Sequence, residues 1–152
     1  MAQALLVTAP VPGRALPLSE VPDPVFAGAM VGPGTAIDPP RGPVDALAPV
    51  AGRILKLHPH AYVVVAAEGR AVLVHLGIDT VQLHGEGFSL LAAEGDEVDA
   101  GAPVVRWDAA AVEAAGRSPV CPVVALEAAP EVLADVVTSG DVGPGTVVFT
   151  WR

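Results

Sequence analysis

Short runs of β-branched and other apolar residues alternate along this chain with Gly- and Pro-bearing turn signals. The runs Ala61-Tyr62-Val63-Val64-Val65-Ala66-Ala67 and Arg70-Ala71-Val72-Leu73-Val74-His75-Leu76 flank Glu68-Gly69. That is the pattern of a hairpin closed by a two-residue turn. Further turn signals fall at Gly32-Pro33-Gly34, Pro39-Pro40, Gly85-Glu86-Gly87 and Gly95-Asp96. Helix signals are few. Asp108 is placed to N-cap a short helix running through Ala115 and stopped at Gly116, and Pro130 is placed to open a second through Val137. Residues 95–104 have a weak echo in 140–148, each reading as a turn, a short strand, a Gly-containing turn and another strand. Residues 1–18 read as a lead-in strand and Pro-rich segment. The expected fold is all-β, an antiparallel β-sandwich with tight Gly/Pro turns and one or two short helices, forming a single domain over 1–152.

Composition sharpens this picture. Hydrophobic residues supply 52% of the chain and aromatics only 4%, so Val, Ala and Leu must build the core. The formal charge of −9 makes nucleic acid and anionic membrane poor partners and a basic protein face a good one. The lone Cys121 has no internal disulfide partner and reads as a small buried hydrophobe. No basic residue precedes the short apolar run at the N-terminus, unlike a secretory signal. Residues 24–37 are interrupted by Gly and Pro, short of the ~20 apolar residues a membrane-spanning helix needs. A soluble, cytoplasmic protein is expected.

Three of the four histidines fall within residues 57–80. With Glu68-Gly69 as the loop, Ala67 faces Arg70 and the register carries His60 opposite Gly77. His60 and His75 then share a sheet face as diagonal neighbours, roughly 7–8 Å apart. Two imidazoles on one face can converge on a group the size of a phosphoryl. The plainer alternative is a pair of hydrogen-bonded structural histidines. His58 has the parity of His60, although Pro59 limits the regularity of that strand. His84 reads as a solvated turn residue.

Several motifs carry a resemblance. Asp23-Pro24-Val25-Phe26-Ala27-Gly28-Ala29-Met30-Val31-Gly32-Pro33-Gly34, Ala48-Pro49-Val50-Ala51-Gly52, His60-Ala61, Val74-His75-Leu76-Gly77-Ile78-Asp79-Thr80-Val81 and Gly85-Glu86-Gly87-Phe88 resemble the glucose-type enzyme IIA component of the bacterial phosphoenolpyruvate-dependent sugar phosphotransferase system. The likeness is close over residues 19–108, and the Leu-His-Pro-His run is similar to actinobacterial members. It implies a phosphocarrier that accepts a phosphoryl group from a basic histidine phosphocarrier protein and passes it to a cysteine of a IIB domain of a membrane sugar permease. It implies His75 as the phosphorylated nucleophile and His60 as the residue that stabilises the phosphoryl. The second nitrogen of His75 would be held by the carbonyl of Gly77. No metal or other cofactor is implied.

The same resemblance implies a docking depression of Val25, Phe26 and Leu73, with Asp23 and Asp79 on its acidic rim. Phe26 serves equally as core, and Asp79 equally as a cap for the turn at Thr80. Two departures stand out: His58 replaces a threonine and Gln82 an acid. His58 is read as a supporting hydrogen-bonding residue or a rim residue. Two other readings compete. The His-x-His and His-x-Gly-x-Asp patterns, His58 to His60 and His75 to Asp79, also suit a zinc peptidase of a β fold. A regulatory module read out through phosphorylation state is the other, with regulatory targets as partners. The transported sugar is not encoded in a component that never touches it.

Overall fold

The computed structural model describes residues 3–152, so Met1 and Ala2 of the lead-in lie outside the described residues. Its strands are β1 (Leu5–Thr8), β2 (Gly13–Pro17), β3 (Gly34–Asp38), β4 (Pro43–Leu47), β5 (Gly52–His58), β6 (Ala61–Val65), β7 (Ala71–His75), β8 (Phe88–Leu90), β9 (Glu97–Val98), β10 (Pro103–Asp108), β11 (Cys121–Ala125), β12 (Leu133–Ala134), β13 (Asp141–Val142) and β14 (Val147–Trp151). Eight of them form one antiparallel sheet in the order β13-β2-β3-β11-β7-β6-β5-β9. Two three-stranded sheets, β4-β10-β8 and β1-β14-β12, complete the sandwich.

Alternation along the strands decides which side chains meet. Val72, Val74, Tyr62, Val64, Ile37 and Val123 enter the main core, where they join Trp107, Val105, Phe149 and Val7 from the small sheets. The opposite face carries Ala36, Val124 and Leu73, covered by Leu18, Val21 and Phe26. This second, smaller cluster borders His75.

Two helices form. In α1 (Pro24–Ala27), Pro24 occupies the first turn, and the Asp23 carboxylate accepts from the backbone N–H of Val25 at 2.8 Å and of Phe26 at 3.4 Å. In α2 (Ala109–Ala114), Asp108 caps in the same way and Gly116 follows at φ +84°. The helix expected from Pro130 is instead one 3-10 turn, Pro130–Val132. Leu133 and Ala134 pair with Trp151 and Thr150, and the edge of β14 competes successfully for this backbone. The lead-in is also more than a lead-in, since β2 lies inside the large sheet between β13 and β3.

The hairpin register also departs from expectation. The loop is three residues, Ala67–Gly69, with Glu68 and Gly69 at φ +66° and +74°, and the backbone N–H of Ala66 donates to Arg70 at 2.9 Å. Ala61 therefore pairs with His75, and His60 lies opposite Leu76, not Gly77. A one-residue slip reverses facing. A regular strand in this register would send His60 into the core, but β6 begins only at Ala61.

The halves of the large sheet are related by an approximate two-fold. Gly13-Arg14 pairs with β13 at one edge as Gly52-Arg53 pairs with β9 at the other. At both glycines a Cβ would come within 2.2 Å of a carbonyl oxygen, that of Asp38 or of Val65. The connections between equivalent strands differ. From β5 to β6 the chain turns in two residues, Pro59 and His60. From β2 to β3 it runs through residues 18–33, folding α1 over the sheet. The short connection brings His60 to His75, and the long one brings Phe26.

Candidate phosphoryl-transfer site

His75 ends β7, and the next residues are shaped around it. Gly77 sits at φ +81°, with its Cβ position 2.7 Å from Thr80 Cγ2 and 2.8 Å from the Ser118 carbonyl oxygen. Only glycine fits there without strain. Thr80 Oγ1 donates to the Leu76 carbonyl at 2.8 Å, and the N–H of Ile78 donates to Ser118 at 2.8 Å. The loop so fixed directs the Gly77 carbonyl at Nδ1 of His75, 2.5 Å away. A carbonyl only accepts, so in the neutral ring Nδ1 holds the proton and Nε2 keeps an open lone pair.

His60 reaches the same place from the Pro59-His60 turn. Its ring centroid is 5.3 Å from that of His75 with the planes at 67°, a T-shaped contact. His58 stacks on its other side at 5.6 Å and 20°. Phe26 meets His75 edge-on at 5.2 Å and 61°. The four rings form a chain, Phe26–His75–His60–His58, with the two half-buried imidazoles inside it.

Burial pushes His60 down to about 4, and the charges that His75 and His58 carry when protonated push the same way. Burial also lowers His75, against the Gly77 hydrogen bond and the negative charges of Asp23 and Asp79, which raise it. Both rings are therefore neutral near pH 7, the state an imidazole nucleophile requires.

The expected docking residues gather beside the histidines. Leu73 and Phe26 share the smaller apolar cluster, so Phe26 is both core and ring neighbour. Val25 is 42% exposed. Asp23 is spent partly on capping α1, while Asp79 is exposed at φ +58° and its side chain caps nothing. Val81 and Met30, outside the expected docking set, are 56% and 75% exposed on the segments that follow His75 and α1. Their signal was present as apolar residues in turn segments. A groove of about 650 Å³, lined by Met30, Leu55, Lys56, Val63 and Ala71, continues this surface along the sheet. Gln82, the departure from the acid, accepts a hydrogen bond from Arg117.

His84 is exposed at φ +53°. Cys121 is buried, and burial pushes its thiol up to about 12. Among the described residues, no group of three or more His, Cys, Asp or Glu is placed to hold a metal ion. The patterns that suggested a zinc peptidase therefore do not close into a ligand set. No helix among the described residues is long and apolar enough to cross a membrane.

Comparison with known proteins identifies the family. The family described as phosphoenolpyruvate-dependent sugar phosphotransferase system, EIIA 1, matches residues 5–130. The glucose-specific EIIA component of Staphylococcus aureus (strain Mu50) is 40% identical over 122 residues, 79% of this chain and 72% of that protein. That of Oceanobacillus iheyensis is 39% identical over 122 residues, 79% of this chain and 73% of that protein. The solved structure of glucose permease IIA from Mycoplasma capricolum superposes with a TM-score of 0.89 at 33% identity, covering 99% of this chain and 97% of that one. The chain belongs to the EIIA family of the phosphoenolpyruvate-dependent sugar phosphotransferase system, and it is a phosphocarrier that receives its phosphoryl group from the histidine phosphocarrier protein and passes it to a IIB domain.

Proposed function

We propose that Nε2 of His75 carries the phosphoryl group and that His60 stabilises it in transfer, in a single domain acting in the cytoplasm. The observation that supports this most directly is the His75–Gly77 contact, which leaves one nitrogen of a neutral imidazole free on a face where a second imidazole stands 5.3 Å away, centroid to centroid.

In acceptance, the Nε2 lone pair attacks phosphorus of the donor phosphohistidine. The donor N–P bond breaks, and its electron pair returns to the donor ring. In onward transfer a IIB cysteine thiolate attacks phosphorus, and the N–P bond electrons return to Nε2 of His75. Negative charge lies on the phosphoryl oxygens throughout, and an N–H of His60 donates to them. His58 supports His60 from behind.

Docking uses the apolar surface of Val25, Phe26 and Leu73, extended by Met30 and Val81. Asp23 and Asp79 draw in a basic partner, raising association rate more than final affinity.

Labelling by phosphorylated histidine phosphocarrier protein tests the linkage. The expected label is lost in acid and retained in alkali, as a phosphoramidate is. A label that survives acid would indicate an ester on Ser or Thr and reject the histidine mechanism.

A further inference from the structure

His58, Ala61 and His75 stand in one row across three strands. His58 pairs with Ala61, and Ala61 pairs with His75, so all three side chains leave the sheet on one face. Neighbouring strands lie about 4.8 Å apart, which separates the outer two residues by roughly 10 Å. Between them the sheet offers only the methyl group of Ala61. The ring of His60 fills this interval, 5.6 Å from His58 and 5.3 Å from His75.

A turn residue has no strand to dictate its χ angles, and an unconfined imidazole samples several rotamers. A phosphoryl-stabilising donor is effective only when already aimed. Confinement here has two sources. The ring face of His58 is nearly parallel to His60 and forms a wall, and Ala61 is small enough to leave space beneath it. A threonine at 58 has no ring face to offer.

We propose that His58 and Ala61 are positioning residues, an aromatic wall and a methyl floor that together form the slot holding His60 against His75. The inference rests on the roles proposed for His75 and His60 and identifies what fixes the geometry of the second.

The test compares His58→Ala, His58→Phe and Ala61→Val with wild type in both half-reactions, using the phosphorylated histidine phosphocarrier protein as donor and a IIB domain as acceptor. Side-chain ¹⁵N–¹H spectra of His60 are recorded alongside. His58→Ala should slow onward transfer roughly 3- to 10-fold, the value of one aromatic contact, and leave acceptance within about twofold. His58→Phe should restore onward transfer to within about twofold, because the ring face is kept and the imidazole chemistry is not. Ala61→Val should raise the floor, shift the His60 ring signals and slow onward transfer more than His58→Ala does.

Wild-type onward rates in His58→Ala with unmoved His60 signals would overturn the slot. So would a His58→Phe variant as slow as His58→Ala, since that would assign the effect to imidazole chemistry. The His58 pair decides the matter even if Ala61→Val fails to fold. Normal labelling of His75 in these variants would confine such a failure to the slot, whereas a label persisting in His75→Ala would reject the underlying reading.

Discussion

Nδ1 of His75 lies 2.5 Å from the carbonyl oxygen of Gly77, two residues further along the chain. The contact exists because Gly77 adopts φ +81° in a loop that Thr80 and Ser118 clamp from both sides. Gly77→Ala would place a methyl 2.7 Å from Thr80 Cγ2 in a conformation unfavourable to any L side chain. It should cost about 1–3 kcal/mol of stability and rotate the carbonyl away from the imidazole. Denaturant unfolding measures the first effect, and the ring ¹⁵N shifts of His75 report the second. An unchanged Nδ1–H tautomer in a fully stable variant would contradict this account of the loop.

The two histidines should titrate unusually low. His60 binds its proton more weakly folded, at about 4, than unfolded, at about 6.5. Between those values the unfolded chain holds more protons, so this group's contribution to stability falls as pH drops from 6.5 toward 4. His75 acts in the same direction. NMR titration should find His60 near 4 and His75 below 6.5. After phosphorylation the added negative charge should move His60 upward. A His60 midpoint at or above 6.5 in the unphosphorylated protein would contradict the burial seen here.

Phe26 couples packing to the same titration. It is buried and touches His75 edge-on, so Phe26→Ala should cost about 3 kcal/mol through the cavity it leaves. It should also admit water to His75, whose lowering comes first from burial, and so move that midpoint toward 6.5. Urea unfolding and NMR titration of one variant check both effects. A stability loss with no movement of His75 would show that Phe26 packs without shielding the ring.

For His60, the informative variant is His60→Gln, which keeps a donor of similar reach. It should still accept the phosphoryl group on His75 but pass it to the IIB cysteine roughly 10²–10³-fold more slowly. Wild-type rates in both half-reactions would make the 5.3 Å ring contact incidental.

The sandwich and the α2 caps were legible because each is local, whereas the meeting of His60 with His75 was expected from a register that does not form. β-branched runs, an Asp before an Ala run and a short hairpin all act over a few residues. The register was not. Ala67–Gly69 closes with Glu68 in the left-handed region, which glutamate rarely favours, so Glu68-Gly69 reads as a shorter turn than it is. The face shared by the histidines was thus anticipated through strand parity but arises from the Pro59-His60 turn. The Pro130 segment failed for a non-local reason, since β14 recruits Leu133 and Ala134. Asp23-Pro24 was a readable cap that the apolar stretch after it obscured. Ala-Pro-Val-x-Gly-Arg also occurs at both 9–14 and 48–53, a repeat passed over in the sequence whose meaning emerges only when both glycines abut carbonyls across the sheet.

In the mechanism proposed above, His75 alone receives the phosphoryl group. The most direct measurement is mass spectrometric assignment of the label in wild-type protein and in His75→Ala, after exposure to phosphorylated histidine phosphocarrier protein under alkaline work-up. Stoichiometric phosphohistidine is expected at His75 in the wild type and none in the variant. Phosphohistidine persisting in His75→Ala, or located on His60 in the wild type, would contradict it.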